Sequence, residues 1–138
     1  MFIDASVIVA ILGREAGSEE IEKRLADTEG PFFISPLVKF EAAAALARQK
    51  SGKQKSSAKL LRQAWKAVVA FAEDIAAEEV AISPEIGRLA LEASATYGKA
   101  IGHAADLNFG DCFAYACAKS LKVSLFYKGH DFVHTDLA

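Results

Sequence analysis

A chain of 138 residues with 52% hydrophobic and 25% charged residues is the size and composition of one soluble globular domain, able to bury roughly two-thirds of its unfolded surface. No apolar run approaches the roughly 20 residues of a membrane span, and the opening MFIDAS carries an acid at position 4 with no basic leader, so neither a membrane helix nor a secretory signal is expected. The net charge of −2 hides an asymmetry: between Ala42 and Ala72 there is no acid, but there are Arg48, Lys50, Lys53, Lys55, Lys59, Arg62 and Lys66, which suits a polyanion or an acidic partner and equally a solvated helix face.

In chain order, MFI before Asp4 reads as a short buried strand. SVIVAILG is an apolar helix start with Ser6 as a possible N-cap, broken at Gly13. In SEEIEKRLADT, Ile21 and Leu25 stand four apart on one helical face. PFFIS is a second strand, and Ser35-Pro36 suits the cap and first position of the helix LVKFEAAAALARQK, which runs to Gly52. A helix from Ser56 to Ile75 has Leu60, Leu61, Trp65, Val68 and Phe71 as its expected inner stripe. EVAIS gives a third strand and PEIGRLALEASATYG another Pro-started helix. After a Gly-, His- and Asp-containing loop comes ADLNFGDCFAYACAK, an apolar helix from Cys112 to Lys119 opened by Asn108, Gly110 and Asp111. KVSLFYKG is the last clear strand and turn, and HDFVHTDLA a tail that could add an edge strand. Cys112 and Cys117, five apart on one helix, point in different directions and are expected as buried, reduced thiols; a structural zinc site would need more Cys and His. Strands alternating with helices imply a single α/β domain with a mostly parallel sheet of four or five strands.

In such sheets ligands sit at the carboxyl ends of the strands, and four acids fall there. Asp4 directly follows the first strand, Glu41 lies in the first or second turn of the helix after the second, Asp111 opens the helix before the last strand, and Asp131 follows that strand's Lys128-Gly129 turn. Each has a plain alternative: Asp4 and Asp111 as helix caps, Glu41 as a solvated helix residue, Asp131 as a turn residue. For Glu41, the apolar neighbours Phe40 and Ala42–Ala45 argue against exposure. Gathered at one edge the acids would repel one another, about 1 kcal/mol for a pair 4 Å apart even in water. A hard divalent cation with oxygen ligands and retained waters, Mg2+ or Mn2+, removes that penalty.

FIDASVIVAIL, the Glu of VKFEAAAAL, LNFGDCFAYACAK, and LFYKGHDF with the following TD resemble a PIN-domain ribonuclease, in particular the VapC-type toxins of bacterial toxin–antitoxin pairs. The resemblance covers essentially the whole chain in the family's order, and LNFGDCFAYA is its most specific part. It implies a PIN-like three-layer α/β/α fold and an acidic site that binds Mg2+ (Mn2+ possible) and cleaves RNA. Carried over by motif, the catalytic residues are Asp4, Glu41, Asp111 and Asp131, with Asp4 and Asp111 as metal ligands and Ser6 hydrogen-bonding behind them. His130, where relatives often carry Asp or Asn, and Ala104, where many carry Pro, depart from the pattern; the first removes a further acid beside Asp131. His103 and His134 suit loop polarity or RNA contact better than catalysis.

The expected reaction is hydrolysis of an RNA phosphodiester bond by a metal-activated water, and the resemblance implies 5′-phosphate and 3′-hydroxyl ends. Arg48, Lys50, Lys53 and Lys55 are candidates for contact with the RNA backbone or with an acidic antitoxin, and the surrounding helices for a homodimer surface, in a cytoplasmic protein. The alternative is a catalytically inactive PIN-like module that binds RNA or a protein. An Asp-nucleophile phosphatase would want an acid at position 6, where Ser6 stands, and a receiver domain a mid-chain Asp that the basic stretch lacks.

Overall fold

In the computed structural model, which describes residues 1–138, four two-residue strands form one parallel sheet in the order β3-β2-β1-β4: β1 (Phe2–Ile3), β2 (Phe33–Ile34), β3 (Glu78–Glu79) and β4 (Leu125–Phe126). Phe2 pairs with Phe33 on one side and Leu125 on the other. Parallel neighbours need crossovers, and six helices supply them: α1 (Ala5–Leu12), α2 (Ser18–Ala26), α3 (Pro36–Ser51), α4 (Ala58–Asp74), α5 (Pro84–Tyr97) and α6 (Phe109–Leu121). Phe2 and Ile3 are both fully buried. Successive strand residues point to opposite faces, so helices cover the sheet on both sides, as a three-layer α/β/α arrangement requires. α1 to α4 pack among themselves and α5 packs on α6. No helix is long and apolar enough to cross a membrane.

Polar caps start the helices, two of them just past strands. Ser35, Ser57 and Ser83 accept from Val38 N, Leu60 N and Ile86 N at 3.2, 3.1 and 3.2 Å, and Pro36 and Pro84 occupy first helical turns where a missing N–H does no harm. Core side chains such as Ile8, Ile34, Val68 and Phe132 are at most 1% exposed, each stabilising the fold by about 1.5–3 kcal/mol relative to exposure. Cys112 and Cys117 are free and buried, as expected.

Four expectations are corrected. Ser6 does not cap α1; Asp4 does, and Ser6 supplies the capped N–H, because a cap must precede the first helical residue. The third strand is Glu78–Glu79, just ahead of the apolar run that suggested it, because Glu78 N and Val80 N reach Phe32 O and Ile34 O at 2.8 Å each. Leu61 and Trp65 are 41% and 40% exposed: the buried face of α4 is Ala64, Val68, Phe71 and Ala72, and these two stand on its flank towards Phe40. The tail adds no fifth strand. Val133, Thr135 and Ala138 close turns onto carbonyls three residues back, Phe132 plugs the core, and Asp136 is tied to α6 through Tyr115 Oη at 2.6 Å and Lys119 Nζ at 2.7 Å.

Candidate active site

Parallel strands bring their carboxyl ends to one edge, and β1, β2 and β4 are adjacent there. Asp4, the first residue beyond β1, is 5% exposed. Its Oδ2 accepts from Ser6 N at 2.9 Å and from Ser6 Oγ at 2.5 Å. Ser6 Oγ in turn accepts from Lys128 N at 2.9 Å. One hydroxyl therefore ties the first acid to the turn beyond β4 that carries Asp131.

Asp111 is the third residue of α6 and completes a capping box. Its Oδ2 accepts from Asn108 N at 2.8 Å while Asn108 Oδ1 accepts from Asp111 N at 3.1 Å. The helix therefore begins at Phe109, three residues before the apolar run. The same turn makes room for Glu41: a Cβ at Gly110 would collide with both carboxylate oxygens of Glu41. Glu41 is half-buried, in line with the expectation that it is not a solvated helix residue, although its neighbour Phe40 is exposed.

Asp4, Glu41, Asp111 and Asp131 line one cavity of about 360 Å3. Burial pushes Asp4, Glu41 and Asp111 towards the protonated state, and repulsion among the acids adds to it. Asp4 is raised chiefly by desolvation, with Asp131 adding to it against the Ser6 hydrogen bonds. Glu41 is pushed up to about 7 by desolvation and then by Asp4 and Asp111. Asp111 is pushed up to about 6 by desolvation, with Asp4 and Asp131 also raising it against the Asn108 hydrogen bond. This negative charge is under-compensated, which is the electrostatic condition for a cation site. The hydrogen bonds from Ser6 and Asn108 fall on Oδ2 of Asp4 and Asp111, and no buried side-chain oxygen lacks a partner. No group of three or more His, Cys, Asp or Glu is arranged to hold a metal ion by itself. The donor set therefore fits Mg2+ or Mn2+ held through one or two carboxylates and several waters, and does not form an all-protein cage.

Among the basic candidates, Arg48 lines the cavity, while Lys50, Lys53 and Lys55 do not. Glu41, Ala45 and Arg48 share a helical face at i, i+4 and i+7; Lys50 is off that face, and Lys53 and Lys55 lie beyond the helix end at Gly52. His130 and His134 are exposed and absent from the cavity wall. His103 Nδ1 accepts from Ala105 N at 3.1 Å and its ring meets Tyr97 edge-on, which is loop structure. Two cavity residues escaped notice as site residues. Lys128 forms an ion pair with Glu15 across the wall, and Gln49 Nε2 holds Glu15 at 2.6 Å. Lys128 adjoins the Gly129 turn and was legible by position; Glu15, 113 residues away, gave no sequence signal.

The chain matches the family model of the PIN domain over residues 1–137. It is 51% identical to a VapC ribonuclease of Rhizobium meliloti over 99% of this chain and 98% of the relative, and 31% identical to ribonuclease VapC30 of Mycobacterium tuberculosis over 100% and 96%. In fold it resembles the crystal structure of Mycobacterium tuberculosis VapC20, described as a sarcin-ricin loop cleaving toxin, with a TM-score of 0.73 at 16% identity, over 99% of this chain and 95% of that one.

Proposed function

The chain belongs to the PIN-domain family and within it to the VapC ribonucleases, and from that premise we propose that the acidic cavity is the active site of a metal-dependent endoribonuclease, the toxin of a toxin–antitoxin pair. The observation that carries this is the meeting of Asp4, Glu41, Asp111 and Asp131, drawn from four separate segments, on one cavity wall. Bound there, Mg2+ or Mn2+ would supply Lewis-acid stabilisation of phosphate charge and lower the pKa of the attacking water. Asp4 and Asp111 would hold the ion, each with its carboxylate already fixed by hydrogen bonds to Oδ2. Glu41 and Asp131 orient water in the cavity, and Glu41, which has no direct hydrogen bond tying it down, takes the proton from the attacking water. Ser6 keeps Asp4 and the 128–131 turn in register. Arg48 lies where an RNA phosphate enters the cavity, and cleavage leaves 5′-phosphate and 3′-hydroxyl ends.

The exposed Lys50, Lys53 and Lys55 extend this positive charge over the end of α3 and the turn after it, suiting the RNA backbone or an acidic antitoxin segment. The protein would act in the cytoplasm as a homodimer. The test is the double variant Asp4→Asn with Asp111→Asn. With added Mg2+ the purified wild type should cut RNA, and the double variant should be slower by at least about a hundredfold, the loss expected when several kcal/mol of metal-derived stabilisation are removed. Undiminished cleavage by the variant would place the active site elsewhere. A wild type that binds RNA but never cuts it would favour the inactive binding module.

A further inference from the structure

Two phenylalanines stand in solvent beside the acidic cavity. Phe40 on α3 is 68% exposed and Phe109, the first residue of α6, is 71% exposed. Aromatic rings left this open on two elements facing one opening mark a surface built for contact. Both line a second cleft of about 380 Å3, which shares Glu41, Arg48 and Asn108 with the acidic cavity. The two openings are therefore continuous, and a strand with a phosphate among the acids can reach the aromatic cleft directly. The polar groups at the junction suit a nucleotide. Arg48 forms no ion pair within the protein, so its guanidinium is available to a phosphate or to a base face. Asn108 spends its side-chain oxygen on the α6 cap, and its amide N–H groups have no protein acceptor to compete with a base edge. Ala44 and Gly110 contribute to the same wall and add little bulk to it.

We propose that the Phe40–Phe109 cleft binds an unpaired nucleobase next to the scissile phosphate, stacked on one or both rings, and so makes the enzyme select single-stranded or splayed-out RNA at that position. This deepens the ribonuclease reading and rests on it for the direction of the strand. A second protein chain would be served by the rings alone. The shared wall, with a free guanidinium and a free amide beside the acids, favours RNA.

The experiment uses Phe40→Ala, Phe109→Ala, the double variant, and Phe109→Trp. Each is mixed in EDTA, which blocks cleavage, with unstructured oligoribonucleotides carrying 2-aminopurine at successive positions. Each is then assayed with Mg2+ on the same RNAs. The wild type should quench the fluorophore at one position. The double alanine variant should lose that quench and raise KM by roughly five- to a hundredfold, the range for one stacked base, with kcat at saturation nearly unchanged; Phe109→Trp should retain both properties. Quench and KM unaltered in the double variant would overturn the proposal. So would a switch in its solution mass, or loss of antitoxin binding, with RNA binding intact, since the rings would then serve a protein contact. If wild-type protein quenches but does not cut, the stacking site stands and the nuclease reading fails; if it cuts and the rings do not matter, the reverse holds.

Discussion

A methyl group at position 110 would occupy the space of the Glu41 carboxylate, so it would push this untethered side-chain end aside, and the glycine lets the carboxylate lie against the first turn of α6. Gly110→Ala should leave the fold intact, since Ala suits a helix better than Gly by about 1 kcal/mol. It should lower RNA cleavage by about ten- to a hundredfold, the usual effect of disturbing a site's supporting contacts. Single-turnover cleavage beside a thermal melt checks both, and unchanged cleavage would mean that Glu41 works from another position. Ser6→Ala removes the hydroxyl that bonds both Asp4 and Lys128 N. At about 1 kcal/mol for a typical hydrogen bond, the variant should melt measurably lower and bind Mn2+ more weakly. A variant with wild-type Mn2+ affinity would show that Asp4 is held without it.

At the scale of elements, the legible parts of the chain were those where local chemistry and burial agree. Ser35-Pro36 and the Pro84 start announced α3 and α5 because caps and prolines act within a few residues. Asp4 and Asp111 were legible for the same reason: each is a helix-start residue as well as a site acid, so a local signal marked a distant meeting. Leu61 and Trp65 were misread because a hydrophobic stripe shows which residues are apolar and not which flank meets a neighbouring helix. The tail was misread because the adjacent, strand-favouring Phe132 and Val133 suggest an edge strand, whereas long-range bonds from Tyr115 and Lys119 to Asp136 hold it in turns. Those bonds make a prediction. Lys119 and Tyr115 hold Asp136 below its ordinary pKa, so the latch contributes stability above the unfolded-state pKa and loses it as pH falls through the lower folded-state value. Tyr115→Phe should cost about 1 kcal/mol at neutral pH, in line with a partly exposed hydrogen bond. The difference from wild type in urea midpoints should shrink in acid; a constant difference would mean that the hydroxyl serves packing alone.

Across the whole molecule, the acid cluster opposes stability unless something neutralises it. Glu41 and Asp111 have folded-state pKa values of about 7 and about 6, raised from 4.5 and 3.8. Between the unfolded and folded values the native state binds more protons than the unfolded one, so stability falls as pH rises through that window. The metal-free protein should therefore lose melting temperature from mildly acid to neutral pH. A divalent cation should restore it, because it takes the place of the protons, and its stabilising effect should fade in acid as protons displace it. A metal-free protein whose melting temperature rises steadily towards neutrality would contradict this balance. If the basic end of α3 holds the RNA backbone as proposed, raised salt should weaken RNA binding.

The most direct test of the central claim, that these carboxylates share a divalent cation, is thermal unfolding at neutral pH with EDTA or Mn2+, for the wild type and for Asp4→Asn with Asp111→Asn. The account predicts a rise in wild-type melting temperature that grows with Mn2+ concentration and is absent from the double variant. An equal rise in both proteins, or none in the wild type, would contradict it.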